Sequence, residues 1–348
     1  MASGLSMGCL EMLVGRMTKH LPPRKEEETV VMNGVRSARS ERRPWRSHQA
    51  RLLPWIPRLM ILALAAFLGT EFLRGGTHRT LAWLNAPVLL PVLGAVILAL
   101  TILYALVRRH VNRNVIVTGC MSLLCLLAAI PRVVPVAYPA SIASTMPSAS
   151  VRLPADVPLK VAWGGDTLKV NAIHVRFPDQ RWAYDFVVAP YLTGSANLED
   201  YGCYGVPVVA PAAGTVVAAH DGEPDMVPGR GSHNRQAPKG NYVAIRLEET
   251  GTYLILAHLK PGSLRVTTGE RVEEGQLPGQ CGNSGNTSEP HIHIHHQRQD
   301  PNLVPHLFAE GLPLYFRDQG GPPMPQGGQG VEKGDVILTG VTVQHVGR

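Results

Sequence analysis

All-β structure in the C-terminal part, carried behind transmembrane α-helices, is expected from these 348 residues on three grounds. Long apolar runs are confined to the first 140 residues. After them come short apolar runs separated by Gly, Pro, Asn and Asp, the texture of short strands and turns. Charge divides at the same place. Residues 1–140 carry 17 Lys/Arg against 6 Asp/Glu, and residues 141–348 carry 16 against 20. The net +7 therefore belongs to the N-terminal part, and no basic stripe remains in the C-terminal part to bind nucleic acid.

Residues 1–51 are polar and basic, with Arg36, Arg39, Arg42, Arg43, Arg46 and Arg51 near their end, and read as a disordered cytoplasmic tail. Residues 52–138 form a membrane region. Its apolar runs cover about 55–73, 86–107 and 115–136, so about three helices cross a bilayer. Arg58, Glu71 and Arg132 lie near the ends of these runs, where a charge can snorkel to the interface. The loop over 108–113 holds three arginines, and positive loops stay inside. A multi-pass protein of the cytoplasmic membrane results, its C-terminal domain extracytoplasmic. Residues 139–155 are a Pro/Ser/Ala-rich linker, 156–317 the β domain, and 318–348 a flexible tail with room for one last strand at 335–343.

Within the β domain, residues 282–296 stand out. A Gly/Asn/Ser loop enters a segment in which His291, His293 and His295 alternate with Ile292 and Ile294. Successive strand side chains point to opposite faces, so three imidazoles share one face and two isoleucines the other. A merely His-rich surface strand has no need of histidine at every second position. In residues 181–186 the same alternation puts Trp182, Tyr184 and Phe186 on a core face and Asp185 opposite them. An apolar strand over 253–258 ends in His258. His296 is expected to be exposed, and the polar insertion over 220–240 to wall a groove. The cysteines form no Cys-x-x-Cys pair, which argues against a structural zinc knuckle. Cys203 and Cys281 either pair in an oxidising compartment or remain buried thiols.

Four segments, 205–216, 257–263, 269–276 and 281–293, occur in an order and spacing that resemble the lysostaphin-type (LytM-like) zinc endopeptidases. The resemblance covers roughly residues 159–300. It implies a compact β-sandwich-like fold of the duplicated hybrid motif type, with zinc in an open groove. By it, Asp185 and His293 are zinc ligands, and His258 and His291 are catalytic. One position departs from the family pattern: Arg181 stands where a further ligand is expected, and guanidinium does not ligate zinc. His174, eleven residues before Asp185, is the favoured replacement, brought back by a turn at 177–180; His295 and His233 are the alternatives. The function implied is a membrane-anchored zinc endopeptidase acting on peptides, in particular peptidoglycan cross-links. A non-catalytic LytM-like binding or regulatory module is the alternative that Arg181 keeps open.

Overall fold

The structure, a computed structural model, describes residues 53–229 and 232–347. The basic tail over 1–51 lies outside them, as does the side chain of His233. Three segments, Ile56–Arg74, Gly76–Arg108 and Arg113–Val133, are long and apolar enough to cross a membrane. The first two are single helices, α1 (Ile56–Arg74) and α2 (Gly76–Arg108). The third begins as α3 (Arg113–Leu126), capped by the Asn112 side chain, which accepts from the Val115 N–H at 3.1 Å. Helices α2 and α3 close at Gly94, where a Cβ would lie 2.6 Å from the Ser122 carbonyl oxygen.

Two features of this region differ from expectation. Helix α2 starts at Gly76 rather than near 86, because polar residues such as His78, Arg79 and Asn85 interrupt the apolar run without breaking the helix. At 33 residues it is about 50 Å long, against a hydrocarbon core of about 30 Å. Arg58 does not snorkel. It is buried, with Nε donating to Thr118 Oγ1 at 3.0 Å and Nη2 to Asn114 Oδ1 at 3.0 Å, so it ties α1 to α3.

The β domain is built on an eight-stranded sheet. In chain order its strands are β1 (Leu159–Trp163), β2 (Tyr184–Val187), β3 (Gly214–His220), β4 (Asn241–Leu247), β5 (Tyr253–Leu259), β6 (Arg271–Val272), β7 (Ile292–Gln297) and β8 (Thr342–Val343). Their order across the sheet is β8-β1-β2-β7-β5-β4-β3-β6, antiparallel throughout. One face carries the core, including Tyr184, Phe186, Ile245, Leu254, Leu256, Ile292 and Ile294. Small two-stranded sheets, Ala149–Val151 with Leu314–Phe316 and Pro207–Val208 with Gly279–Gln280, add to that core and give the domain its second layer. Phe316 meets both Tyr184 and Phe186 edge-on, at ring distances of 4.9 and 5.3 Å. The opposite face of β2, β7 and β5 carries the polar residues that concern function.

Three local expectations change. Trp182 does not join the Tyr184/Phe186 face, because β2 begins only at Tyr184; it packs instead with Tyr138 and Ala140, in the segment between the membrane helices and the β domain. His296 is buried, held by Thr252 Oγ1 at 2.6 Å and by the Pro313 carbonyl at 3.1 Å. The tail is not featureless: Gln329–Glu332 and Asp335–Leu338 form a hairpin, and β8 pairs with β1 at the sheet edge. Cys203 and Cys281 are free, buried thiols within the core. Burial, and then its neighbour Cys203, push Cys281 well above its ordinary value.

Candidate active site

Register assembles the centre. Asp185 on β2 sits directly across from His293 on β7, and Ala257 on β5 faces His293 from the other side. The alanine leaves room above the sheet. His258 follows Ala257 and, in a regular strand, would point into the core. Its φ of +62° breaks the alternation, opposite a register shift in β4, and turns the imidazole into the groove. His174 arrives from the loop between β1 and β2. The neck of that loop is closed by Asn171, whose amide donates to the Gly165 and Ala183 carbonyls at 3.0 Å each.

Hydrogen-bond partners decide which ring nitrogens face the centre, since the acceptor groups among them oblige the imidazoles to donate. Asn171 uses its N–H₂ on two carbonyls, so its Oδ1 accepts from His174 Nδ1 at 2.8 Å, and His174 Nε2 is left facing Asp185 Oδ2 at 3.3 Å. His258 Nδ1 donates to the Ser284 carbonyl at 2.8 Å. His291 Nδ1 donates to the Glu289 carbonyl at 2.7 Å, leaving Nε2 at 3.5 Å from Asp185 Oδ1. A relay orients His293. Gln297 donates its amide to the Gln299 carbonyl at 2.7 Å, so its Oε1 accepts from His295 Nε2 at 3.0 Å. His295 Nδ1 then accepts from His293 Nε2 at 2.9 Å, and His293 Nδ1 presents a lone pair to Asp185 Oδ1 at 2.8 Å.

Imidazole lone pairs and a carboxylate thus converge with no donor of their own to satisfy them. The ligand atoms of His174, Asp185 and His293 lie within 4.8 Å of one another, and so do those of His258, His291 and His293. Such a set of nitrogen and oxygen donors, each backed by a hydrogen-bonded partner, suits a divalent cation. Burial pushes Asp185 up, but positive charge placed at His174 and His291 outweighs it and holds the carboxyl well below its usual range, so the carboxylate sits where positive charge, a proton's or a cation's, is favoured. Burial, reinforced by His291 and His293, keeps His258 well below the ordinary imidazole value, so its ring is neutral at physiological pH.

The centre lies in a groove of about 390 Å³, walled by Trp163, Phe177, Lys239, Glu289, His306 and Leu307 among others. Lys239 belongs to the 220–240 insertion expected at a groove wall. Asp179 also lines the groove, with no hydrogen-bond partner for either carboxylate oxygen, and burial pushes it up to about 7.

All five residues singled out in sequence, His174, Asp185, His258, His291 and His293, come together here. His295 stands behind His293 rather than at the centre, and Arg181 turns away to the linker. Sequence reasoning missed the orienting residues Asn171, Ser284 and Gln297. Gln297 could have been found, since it continues the alternation of His291, His293 and His295; Asn171 carries no local signal.

Residues 199–305, about a third of the chain, match peptidase family M23. A stretch of 89 residues is 39% identical to the peptidoglycan DD-endopeptidase ShyC of Vibrio cholerae serotype O1 (strain ATCC 39315 / El Tor Inaba N16961), covering 26% of this chain and 18% of that protein's length. Among solved structures, lysostaphin from Staphylococcus simulans is 17% identical, with 44% of this chain and 47% of that one covered at a TM-score of 0.28. A zinc containing peptidase from Vibrio cholerae is 19% identical, with 42% and 36% covered at a TM-score of 0.27. The matched stretch, residues 199–305, holds strands β3 to β7 and all four segments that resemble the LytM-like peptidases, so it is this part of the chain that is similar to peptidase family M23.

Proposed function

We propose that the protein is a membrane-anchored, zinc-dependent endopeptidase that hydrolyses peptide bonds in peptidoglycan cross-links. The convergence of imidazole nitrogens on the Asp185 carboxylate carries this reading: a divalent cation satisfies that many ligand atoms at one point. His174 Nε2, an Asp185 oxygen and His293 Nδ1 would hold the zinc, a three-residue set that leaves a position open for substrate or water. Bound there, zinc supplies Lewis acidity, polarising a scissile carbonyl and acidifying water.

The chain's own residues do the rest. His258, neutral and fixed through Nδ1 by the Ser284 carbonyl, takes a proton at Nε2 from the attacking water and returns it to the leaving amine. His291, fixed through Nδ1 by the Glu289 carbonyl, holds Nε2 toward the groove, where it orients the attacking water or the scissile carbonyl. The groove orients an extended peptide and excludes water around it. Similarity over 89 residues to a peptidoglycan DD-endopeptidase supports the choice of substrate. His174 Nε2, 3.3 Å from Asp185 Oδ2, supports a full ligand set without Arg181 and so speaks against the non-catalytic reading.

The test is zinc content and product analysis with the purified full chain and cross-linked peptidoglycan fragments. About one zinc per chain and new amino and carboxyl ends are expected, both lost in Asp185→Asn. A folded wild-type chain that binds no zinc and cleaves nothing overturns the proposal.

A further inference from the structure

Arg181 occupies the place where a ligand was expected, and its contacts show another use for that place. It is buried. Its Nη2 pairs with Asp166 at 2.8 Å, and its guanidinium stacks 4.9 Å from the Trp182 ring, which itself donates to Asp166 at 2.7 Å. Its Nε donates to the main-chain carbonyl of Tyr138 at 3.0 Å. Tyr138 lies in the segment that joins the membrane helices to the β domain and is fully buried. Its own N–H donates to the Val175 carbonyl at 2.6 Å, one residue from His174. One residue of this joining segment therefore grips the His174 loop at two points, 175 and 181.

The other side of Tyr138 is membrane helix. Its ring meets Trp83 of α2 edge-on at 5.8 Å, and its hydroxyl lies 3.4 Å from Thr80 Oγ1. A second contact joins the same end of α2 to the strand of histidines. Gln299, two residues beyond β7, donates to Thr77 Oγ1 at 2.9 Å and to no other side chain among the described residues. Gln299 also accepts the Gln297 amide through its main-chain carbonyl, and Gln297 begins the relay that orients His293. The surplus length of α2 beyond a bilayer core is what reaches these contacts.

We infer that Tyr138 is a positioning residue: it transmits the placement of α2 to the His174 loop, so that the metal-binding geometry depends on the membrane helices. This rests on His174 being a zinc ligand, as proposed above. The physical reason is loop entropy. A loop ligand binds well only if its position is held before the ion arrives, and partners behind metal ligands typically contribute about 10- to 100-fold in affinity.

Two readouts on the full chain in lipid nanodiscs test it: zinc affinity by competition with a chelator, and amide exchange at residues 174–177 without zinc. Tyr138→Ala and Trp83→Ala are expected to weaken zinc binding about 10- to 100-fold and to speed exchange at 174–177, with β5 and β7 protection unchanged. Trp83→Ala matters most, since Trp83 touches no residue of the centre. Tyr138→Phe keeps the ring and restores wild-type behaviour in both. Wild-type exchange at 174–177 in both alanine variants overturns the inference, whatever zinc does. Faster exchange in a chain whose wild type binds no zinc upholds the grip of Tyr138 and rejects the zinc reading instead.

Discussion

His293 shows how much one side chain owes to its partners. Its Nδ1 is available to an ion because Gln297 and His295 oblige Nε2 to donate. Gln297→Leu removes the acceptor that starts this relay while keeping a side chain of similar size. It is expected to lower zinc affinity about 10- to 100-fold without abolishing it, as a chelator titration would show. Truncating a proposed ligand itself does more: His174→Ala is expected to lose stoichiometric zinc in metal analysis of the purified chain. Asp179 behaves differently. Its folded value of about 7 lies above the ordinary 3.8, so the folded chain keeps a proton that the unfolded chain releases as pH rises. Stability therefore falls as pH rises through that window. Asp179→Asn is expected to stabilise the domain on the order of 2–4 kcal/mol at about pH 8 and by little at about pH 4. Thermal unfolding at the two pH values checks this; an equal effect at both would reject the protonated carboxyl.

Elements position these residues through a few backbone crossings. The turn before β4 and the loop before β7 touch at Gly240 and Gly285. A Cβ on Gly240, whose φ is +58°, would lie 2.4 Å from main-chain atoms of Ser284. Ser284 supplies the carbonyl that orients His258 and the hydroxyl that accepts the Asn241 N–H at 2.9 Å. Gly240→Ala therefore combines backbone strain with a main-chain clash, and is expected to cost on the order of 3 kcal/mol and to displace His258. Chemical unfolding reads the first effect, and the pH profile of hydrolysis the second. Alternation in β2 and β7 is regular, and there sequence reading placed Asp185 and the histidines on the correct face. It was less informative at β5, where the positive φ at His258 overrides the period of two, and at Trp182, where the strand has not yet begun.

At the scale of the molecule, the Gly76 end of α2 abuts the β domain, while Arg108 and Arg113 lie at the opposite end of the helices. We propose that arginine-bearing loops are retained in the cytoplasm and that the β domain therefore faces outward, the side on which the proposed substrate lies. An enzymatic reporter joined after residue 140 is expected to work only outside the cytoplasmic membrane; activity confined to the cytoplasm would reverse the topology.

Sequence alone determined what local periodicity and composition can carry. Apolar runs of bilayer length mark the helices, and a period of two puts the histidines opposite the isoleucines. The ordered motifs mark the family, because each of these signals is written in neighbouring residues. Only the tertiary structure decided what depends on residues far apart in the chain. It set His174 against Asp185 by folding a loop whose neck is closed by Asn171. It gave Arg181 a partner 43 residues upstream, and it joined Gln299 to Thr77, 222 residues away. Such contacts form when packed elements bring distant groups within hydrogen-bonding reach, and no pattern of neighbours encodes that distance.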